Sequence, residues 1–319
     1  MRIGGLNDTA LHHEMHILAQ TLKILRFNRI ALLCNCAVTT AVFWNSSGFF
    51  PSGFWQPPAQ LRQPLATPPG TWWQPGVHTT WHIQYTGVLD TSRRVTVYNV
   101  DLFDTPARVV QQLAARGTKA VCYLNAGAWE NWRPDRHWFP PRVLGRPYRG
   151  WAGERWLDIR QIDSLAPLLR ARLDLCKHKG FVGVDPDNVN GYQHHTGFPL
   201  TMQDQLRFNR WLAAEAHRRG LAIGLKNTTA LLPYLIHDFD FLVTEECFVQ
   251  GWCPDTRPMV QAGKPVLNIE YTDTGIRRPA QFCPTTTRLG IFAILKRRVL
   301  DAWVEECDAW VEECRERSP

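Results

Sequence analysis

The segment from Gly183 to Tyr192 holds the densest chemistry in the chain, because Asp185, Asp187 and Asn188 stand directly behind the apolar run Phe181 to Val184. Carboxylates so placed are costly unless they are paired or do work, since loss of water disfavours their charge. The same arrangement recurs along the sequence. Asp101 closes the run that begins at Val95, Tyr123 and Asn125 end the run that begins at Ala120, and Lys226 and Asn227 follow Ala222 to Leu225. Glu245 and Glu246 then follow Phe241 to Thr244, Glu270 and Tyr271 follow Val266 to Ile269, and Lys296 follows Ile291 to Leu295. One Asp after a strand is more often a surface loop residue. A series of carboxylates, amides, lysines and tyrosines, each at the same end of its run, describes instead a shared site able to bind a polar ligand and move protons.

Such a site requires strands whose ends gather on one face. Between the β-rich runs lie amphipathic stretches at Pro106 to Arg116, Ile162 to His178 and Asp204 to Arg219, the last with Leu206, Trp211, Leu212 and Ala216 at helical spacing. Seven or eight such units predict an α/β chain with a single (β/α)8 TIM-type barrel, whose active sites form at the strand C-termini. No glycine fingerprint of a dinucleotide or phosphate site follows any run, which argues against an open doubly wound sheet. Pro186, Asn188 and Gly191 are expected to end the central strand at Val184 and force a turn.

With 319 residues and 45% apolar content, the chain can bury one large core but hardly two complete enzyme domains. The net charge of +7 and pI near 9.0 come from scattered basic residues with no Lys/Arg block, so nucleic acid is not an expected partner. Residues 1–49 read as an export signal or membrane anchor, with Lys23, Arg26 and Arg29 ahead of the apolar stretch Ile30 to Trp44. Residues 50–75, rich in Pro, Gly, Gln and Trp, read as a linker, and 76–319 as the barrel domain of a secreted or envelope-associated protein. Of nine cysteines, Cys34 and Cys36 fall in the export segment, and the heptad Asp301 to Cys307 is repeated from Asp308 to Cys314, so one of these two cysteines is surplus and six remain to pair. Cys247 and Cys253 can bridge a loop, and Cys283 is expected to reach a C-terminal helix. Neither these cysteines nor His194 and His195 have the spacing of metal ligands, so no metal and no cofactor are expected.

The order of motifs from Trp81 to Cys307 resembles glycoside hydrolase family 114, the endo-α-1,4-polygalactosaminidases. The resemblance is carried by Tyr98 to Thr105, Cys122 to Gly127 with Glu130 to Asp135, Gly150 to Arg160, the Asp187 segment, Gly224 to Asn227, Glu245 to Phe248, and Glu270 with Tyr271. Against the family pattern, Asn99 stands in place of Asp, Asp185 in place of Glu, Asn190 in place of Asp and Glu246 in place of Gln. The resemblance implies hydrolysis within chains of α-1,4-linked galactosamine, with Asp187 as nucleophile, Glu245 as general acid/base and a retaining outcome. Asn188 beside Asp187 is expected to keep it anionic, while burial and the like charge of Glu246 are expected to raise the pKa of Glu245 toward the acid role. A cationic polysaccharide suits Asp101, Glu130, Asp185 and Glu270 as partners for its ammonium groups. Tyr123, Trp129, Trp132, Trp151 and Tyr271 can stack on sugar faces, and Asn188, Lys226 and Asn227 complete the expected contacts. Lys226 is expected either to pair with a catalytic carboxylate or to hold a hydroxyl. The alternatives are a barrel hydrolase of a different amino-sugar polysaccharide and a non-catalytic carbohydrate-binding barrel, the latter of which loss of one carboxylate would have marked; both carboxylates are present.

Overall fold

The structure, a computed structural model, describes residues 71–307. The expected export segment, most of the expected linker and the second copy of the heptad lie outside these residues. Trp72 and Trp73, at the end of the expected linker, pack on the barrel: Trp72 stacks on His217 with ring centroids 3.9 Å apart and donates to Asp240 at 2.9 Å, while Trp73 faces Phe241.

Eight parallel strands form the barrel: β1 (Trp81–Gln84), β2 (Val97–Asp101), β3 (Lys119–Asn125), β7 (Gly183–Asp187), β8 (Ala222–Lys226), β9 (Phe241–Glu245), β10 (Val266–Tyr271) and β11 (Ile291–Lys296). A short strand β12 (Val304–Glu306) runs antiparallel along β11. The seam is tied by the Tyr85 N–H to the Leu300 carbonyl (2.8 Å), the Thr86 hydroxyl to the Val299 carbonyl (2.7 Å), and an Arg93–Glu306 ion pair at 3.5 Å. The long helices lie where the periodicity placed them, α1 at Ala107–Ala115, α2 at Ile162–Lys179 and α3 at Met202–His217. A reciprocal Thr201–Asp204 capping box starts α3, satisfying backbone donors that its first turn would leave free.

Two local expectations are corrected. The strand at Phe181 does not stop at Val184, since β7 continues through Pro186 in register with β3 as far as Asp187. Pairing with β8 extends only over Gly183 and Val184, so a residue without an N–H at 186 removes no ladder bond on that side. The partner of Cys283 is not on a helix: Cys307 follows strand β12, where Val304 is buried opposite Lys296. The other disulfides are Cys247–Cys253 and Cys122–Cys176, the latter fastening α2 to β3 across 54 residues.

The barrel interior is graded. Its lower end is apolar, with Trp73, Trp81, Val97, Val121, Phe241 and Leu267 around one small void. Its upper end is polar, because the eight strands finish on Gln84, Asp101, Asn125, Asp187, Lys226, Glu245, Tyr271 and Lys296. Between β3 and α2 the chain inserts a three-stranded antiparallel sheet, β4 (Ala128–Glu130), β6 (Glu154–Leu157) and β5 (Leu144–Pro147), which raises one wall above that end.

The Cys122–Cys176 bridge closes a long loop, and its removal by paired alanine substitutions should cost about 4 kcal/mol on the chain-entropy model. Denaturant unfolding under non-reducing conditions measures this; a loss below about 1 kcal/mol would mean that the packing of α2 on β3 alone sets that contact.

Candidate active site

Three adjacent strands, β7, β8 and β9, end on Asp187, Lys226 and Glu245, and the residue after each is left-handed: Asn188 at φ 61°, Asn227 at φ 50° and Glu246 at φ 61°. Asn tolerates this region better than most side chains. The chain thus turns sharply at each strand end and leaves the last strand residue at the barrel mouth. The turn at Asn188 also explains Gly127: a Cβ there would sit 1.8 Å from the Asn188 carbonyl oxygen, and the N–H groups of Ala126 and Gly127 both donate to the Asp187 carbonyl at 3.1 Å.

The Lys226 ammonium is buried among three carboxylates, 3.8 Å from Asp185 Oδ2, 3.8 Å from Asp187 Oδ1 and 3.6 Å from Glu245 Oε2. Burial alone would neutralise it, but the three anions outweigh burial and raise its pKa, so Lys226 stays charged. Asp187 also accepts from the Tyr123 hydroxyl at 3.0 Å and from the Asn188 backbone N–H at 2.9 Å; the Asn188 side chain instead donates to Asn125. Glu245 accepts from the Tyr271 hydroxyl at 2.5 Å and from Asn227 Nδ2 at 3.1 Å. Burial pushes the Glu245 carboxyl up, but Lys226, the Tyr271 and Asn227 hydrogen bonds and Arg298 prevail and hold it below its usual range. This reverses the sequence expectation of a raised value. Glu246, the expected source of like-charge repulsion, is turned aside by its left-handed backbone and bonded to Arg298, which also pairs with Asp273 and lies over the Tyr271 ring at 4.1 Å.

These groups lie in a cleft of about 680 Å³. It contains Asp101, Tyr123, Glu130, Trp151, Asp187, Asn188, Lys226, Asn227, Glu245 and Tyr271 of the expected residues, as well as Trp132 and Asn190. Three expected contact residues lie elsewhere. Asp185 is fully buried beneath the mouth, accepting from Asn99 Nδ2 at 2.8 Å with its other oxygen unpartnered. Burial and Asp187 push its carboxyl up against the pull of Lys226. Glu270 is equally buried and holds the loop after β9, accepting from the N–H groups of Phe248 and Val249 and from Asn268. Trp129 does not line the cleft and donates to the Arg136 carbonyl instead. Asp101 and Glu130 do line it, yet both are clasped by Arg133, at 2.8 Å each. Lys296 is buried and donates to the Asp301 carbonyl at 2.6 Å.

The cleft also contains residues that the sequence reading did not single out. Tyr85, just past the four-residue β1, packs on Tyr123 at 4.4 Å and donates to Asn99. Tyr148 and Glu154 come from the inserted sheet, and Trp252 and Arg298 from the loops after β9 and β11. A turn glycine after the Trp81–Gln84 run was the available signal for Tyr85; Glu154 falls within the motif Gly150 to Arg160, but no apolar run ends on it to give it a role. The lining counts six carboxylates (Asp101, Glu130, Glu154, Asp187, Glu245 and Glu246) against the cations Arg133, Lys226 and Arg298, so a protein of charge +7 holds an acidic cleft.

Two carboxylates that share one cation at the mouth of a parallel barrel, walled by tyrosine and tryptophan, have the parts needed to protonate a leaving oxygen and stabilise an anomeric cation. The molecule is in the class of glycosidic-bond hydrolases. Comparison with known proteins makes this specific: residues 62–312 match the sequence model of glycoside-hydrolase family GH114, and the chain belongs to that family. It is 36% identical to Aspergillus fumigatus Ega3, whose crystal structure is a complex with galactosamine; the match covers 74% of this chain and 97% of that one, with a TM-score of 0.70. The glycoside hydrolase domain of PelA from Pseudomonas aeruginosa shares the fold at 14% identity and a TM-score of 0.54, over 71% and 98% of the two chains. An uncharacterized protein of Deinococcus radiodurans is 27% identical over 281 residues, 76% of this chain and 88% of its own length.

Replacing Lys226 by Met leaves buried carboxylates without their cation and should destabilise the fold by about 3 kcal/mol at neutral pH. The sign follows from linkage. In the parent, depressed Glu245 contributes stability above its unfolded value of 4.5 that is lost as pH falls through its folded value. In the variant, burial should hold the carboxyls of Asp185 and Glu245 above their unfolded values, so the deficit should shrink as pH falls toward about 4. Urea unfolding at neutral and acid pH checks this; an equal deficit at both would assign the loss to packing.

Proposed function

We propose that the protein is an endo-acting hydrolase of α-1,4-linked galactosamine polymer, a cationic exopolysaccharide, with Asp187 as nucleophile and Glu245 as general acid/base. The observation that carries this reading is the pair of carboxylates held on one ammonium within an open, acidic, aromatic-walled cleft. The cleft is lined by Trp132 and Trp151 from the segment after β3 and by Gln250, Trp252 and Leu300 from the loops after β9 and β11, and its size suits several sugars of a chain cut internally. The galactosamine in the Ega3 complex supports the same substrate class. The three disulfides favour an oxidising compartment, hence secretion or attachment to the cell envelope.

The mechanism follows from the hydrogen bonds. The Tyr123 hydroxyl and the Asn188 N–H both donate to Asp187 and orient its carboxylate, as a nucleophile requires. Attack of Asp187 on the anomeric carbon breaks the glycosidic C–O bond, whose electron pair leaves on the oxygen and takes the proton of Glu245. Water then gives its proton to Glu245 and attacks the same carbon, releasing Asp187 and restoring the configuration. Resting Glu245 is ionised, so it takes up its proton as the sugar displaces water, which strengthens the upward push that burial already exerts. As the proton passes from Glu245 to the leaving oxygen, the Glu245 carboxylate forms beside Asp187, and the two face the single ammonium of Lys226, an arrangement that favours the developing cation.

Reducing-end release from partially deacetylated α-1,4-galactosaminan tests the proposal. The parent should cut the polymer to oligosaccharides, and Asp187→Asn and Glu245→Gln should each lose about 10³-fold in kcat while retaining affinity. A folded parent that binds the polymer but releases no ends would favour a non-catalytic binding barrel; cleavage of another amino-sugar polymer instead would move the substrate class.

A further inference from the structure

Most carboxylates of the cleft are matched by a cation within ion-pair distance. Asp101 and Glu130 share Arg133, Asp187 and Glu245 share Lys226, and Glu246 has Arg298. Glu154 is the exception among the described residues: it lines the cleft with 7% of its surface exposed, and the one hydrogen bond of its carboxylate is a long one, 3.3 Å from Asn125 Nδ2. Its position makes this costly. On the antiparallel pair of β4 and β6, Glu154 stands directly opposite Glu130, and like charges in that relation repel. Glu130 has its guanidinium; Glu154 has none.

We propose that Glu154 is the ammonium subsite of the cleft, the carboxylate that receives the protonated amino group of a sugar bound beside Asp187. The proposal rests on the amino-sugar reading of the function and names the residue that would read the amine. The geometry ties the subsite to the reaction centre. Asn125, which donates to Glu154, stands opposite Asp187 in the β3–β7 register and accepts from Asn188. Tyr123 and Tyr148, which line the same wall, supply the ring faces that accompany cation recognition. Burial first, then Glu130 and Asp187, push the Glu154 carboxyl well up against the weaker pull of Arg133 and the Asn125 hydrogen bond, so an added cation is what its ionised form lacks. The titratable groups that face it are Glu130, Arg133 and Asp187, with Tyr123 and Tyr148. A neutral acetamido group offers no charge to this carboxylate, so the subsite would favour deacetylated residues.

The test is calorimetric binding of a galactosamine tetrasaccharide and of its N-acetylated counterpart to the parent, Glu154→Gln and Glu154→Asp, alongside polymer cleavage by each. Glu154→Gln keeps the shape and removes the repulsion with Glu130, so its melting temperature should equal or exceed the parent's. It should weaken the amine ligand by about tenfold or more with the acetylated ligand nearly unaffected, while Glu154→Asp retains part of the preference. If the parent binds the amine and cuts the polymer, yet Glu154→Gln binds as the parent does, the subsite is wrong and the function stands. If Glu154→Gln binds normally but kcat collapses, the residue is a proton donor and the subsite is again wrong. A parent that neither binds the amine nor cuts the polymer overturns both.

Discussion

The ammonium of Lys226 is the interaction on which the site depends. Three carboxylates from β7 and β9 converge at one end of the barrel, and without a cation among them they would repel each other and lose their charge to burial. With it, Glu245 is held ionised, and Asp187 and Glu245 face each other across a fixed centre. The supporting parts then follow in layers. Tyr123 and Tyr271 hold one carboxylate each, Tyr85 backs Tyr123, and Arg298 lies over Tyr271 while drawing Glu246 out of the way. Below, Asn99 holds Asp185, and Asn268 with Glu270 fastens the loop after β9.

The barrel allows this because parallel strands deliver their last residues to one face, and because three consecutive strands turn through left-handed residues as they leave it. An apolar lower end with Trp73, Trp81 and Phe241 supplies burial where no chemistry is needed. The inserted sheet β4–β6 then supplies what the barrel strands do not, a wall holding Glu130, Tyr148 and Glu154.

Much of this was legible in the sequence, for a physical reason. A strand buried on both faces is a short apolar run, and its end is visible as an abrupt polar residue; that rule located Asp101, Asn125, Asp187, Lys226, Glu245 and Tyr271. It failed for Pro186, where the neighbouring ladder had already stopped, and for β1, too short to show a pattern. It also could not tell a side chain facing the cleft from one facing the interior, so Asp185 and Glu270 read as ligand contacts although both are buried supports. The sign of the Glu245 shift was lost because the sequence neighbour, Glu246, is not the electrostatic neighbour; Lys226 is. Asn99 and Asp185, two positions expected to depart from the family pattern, meet in space, with Asn99 donating to Asp185. Glu154 stayed hidden because its meaning lies in a missing partner, which only the arrangement of all the cleft charges exposes.

The central claim is that one ammonium holds two carboxylates of unequal role, Asp187 to bond to carbon and Glu245 to carry the proton. Mass spectrometry of the Glu245→Gln protein after exposure to an activated galactosamine oligosaccharide fluoride tests it most directly, because loss of the acid/base slows release of a covalent intermediate more than its formation. A glycosyl ester that maps to Asp187 is expected. An adduct on any other carboxylate, or turnover to a product of inverted configuration with no adduct, would contradict it.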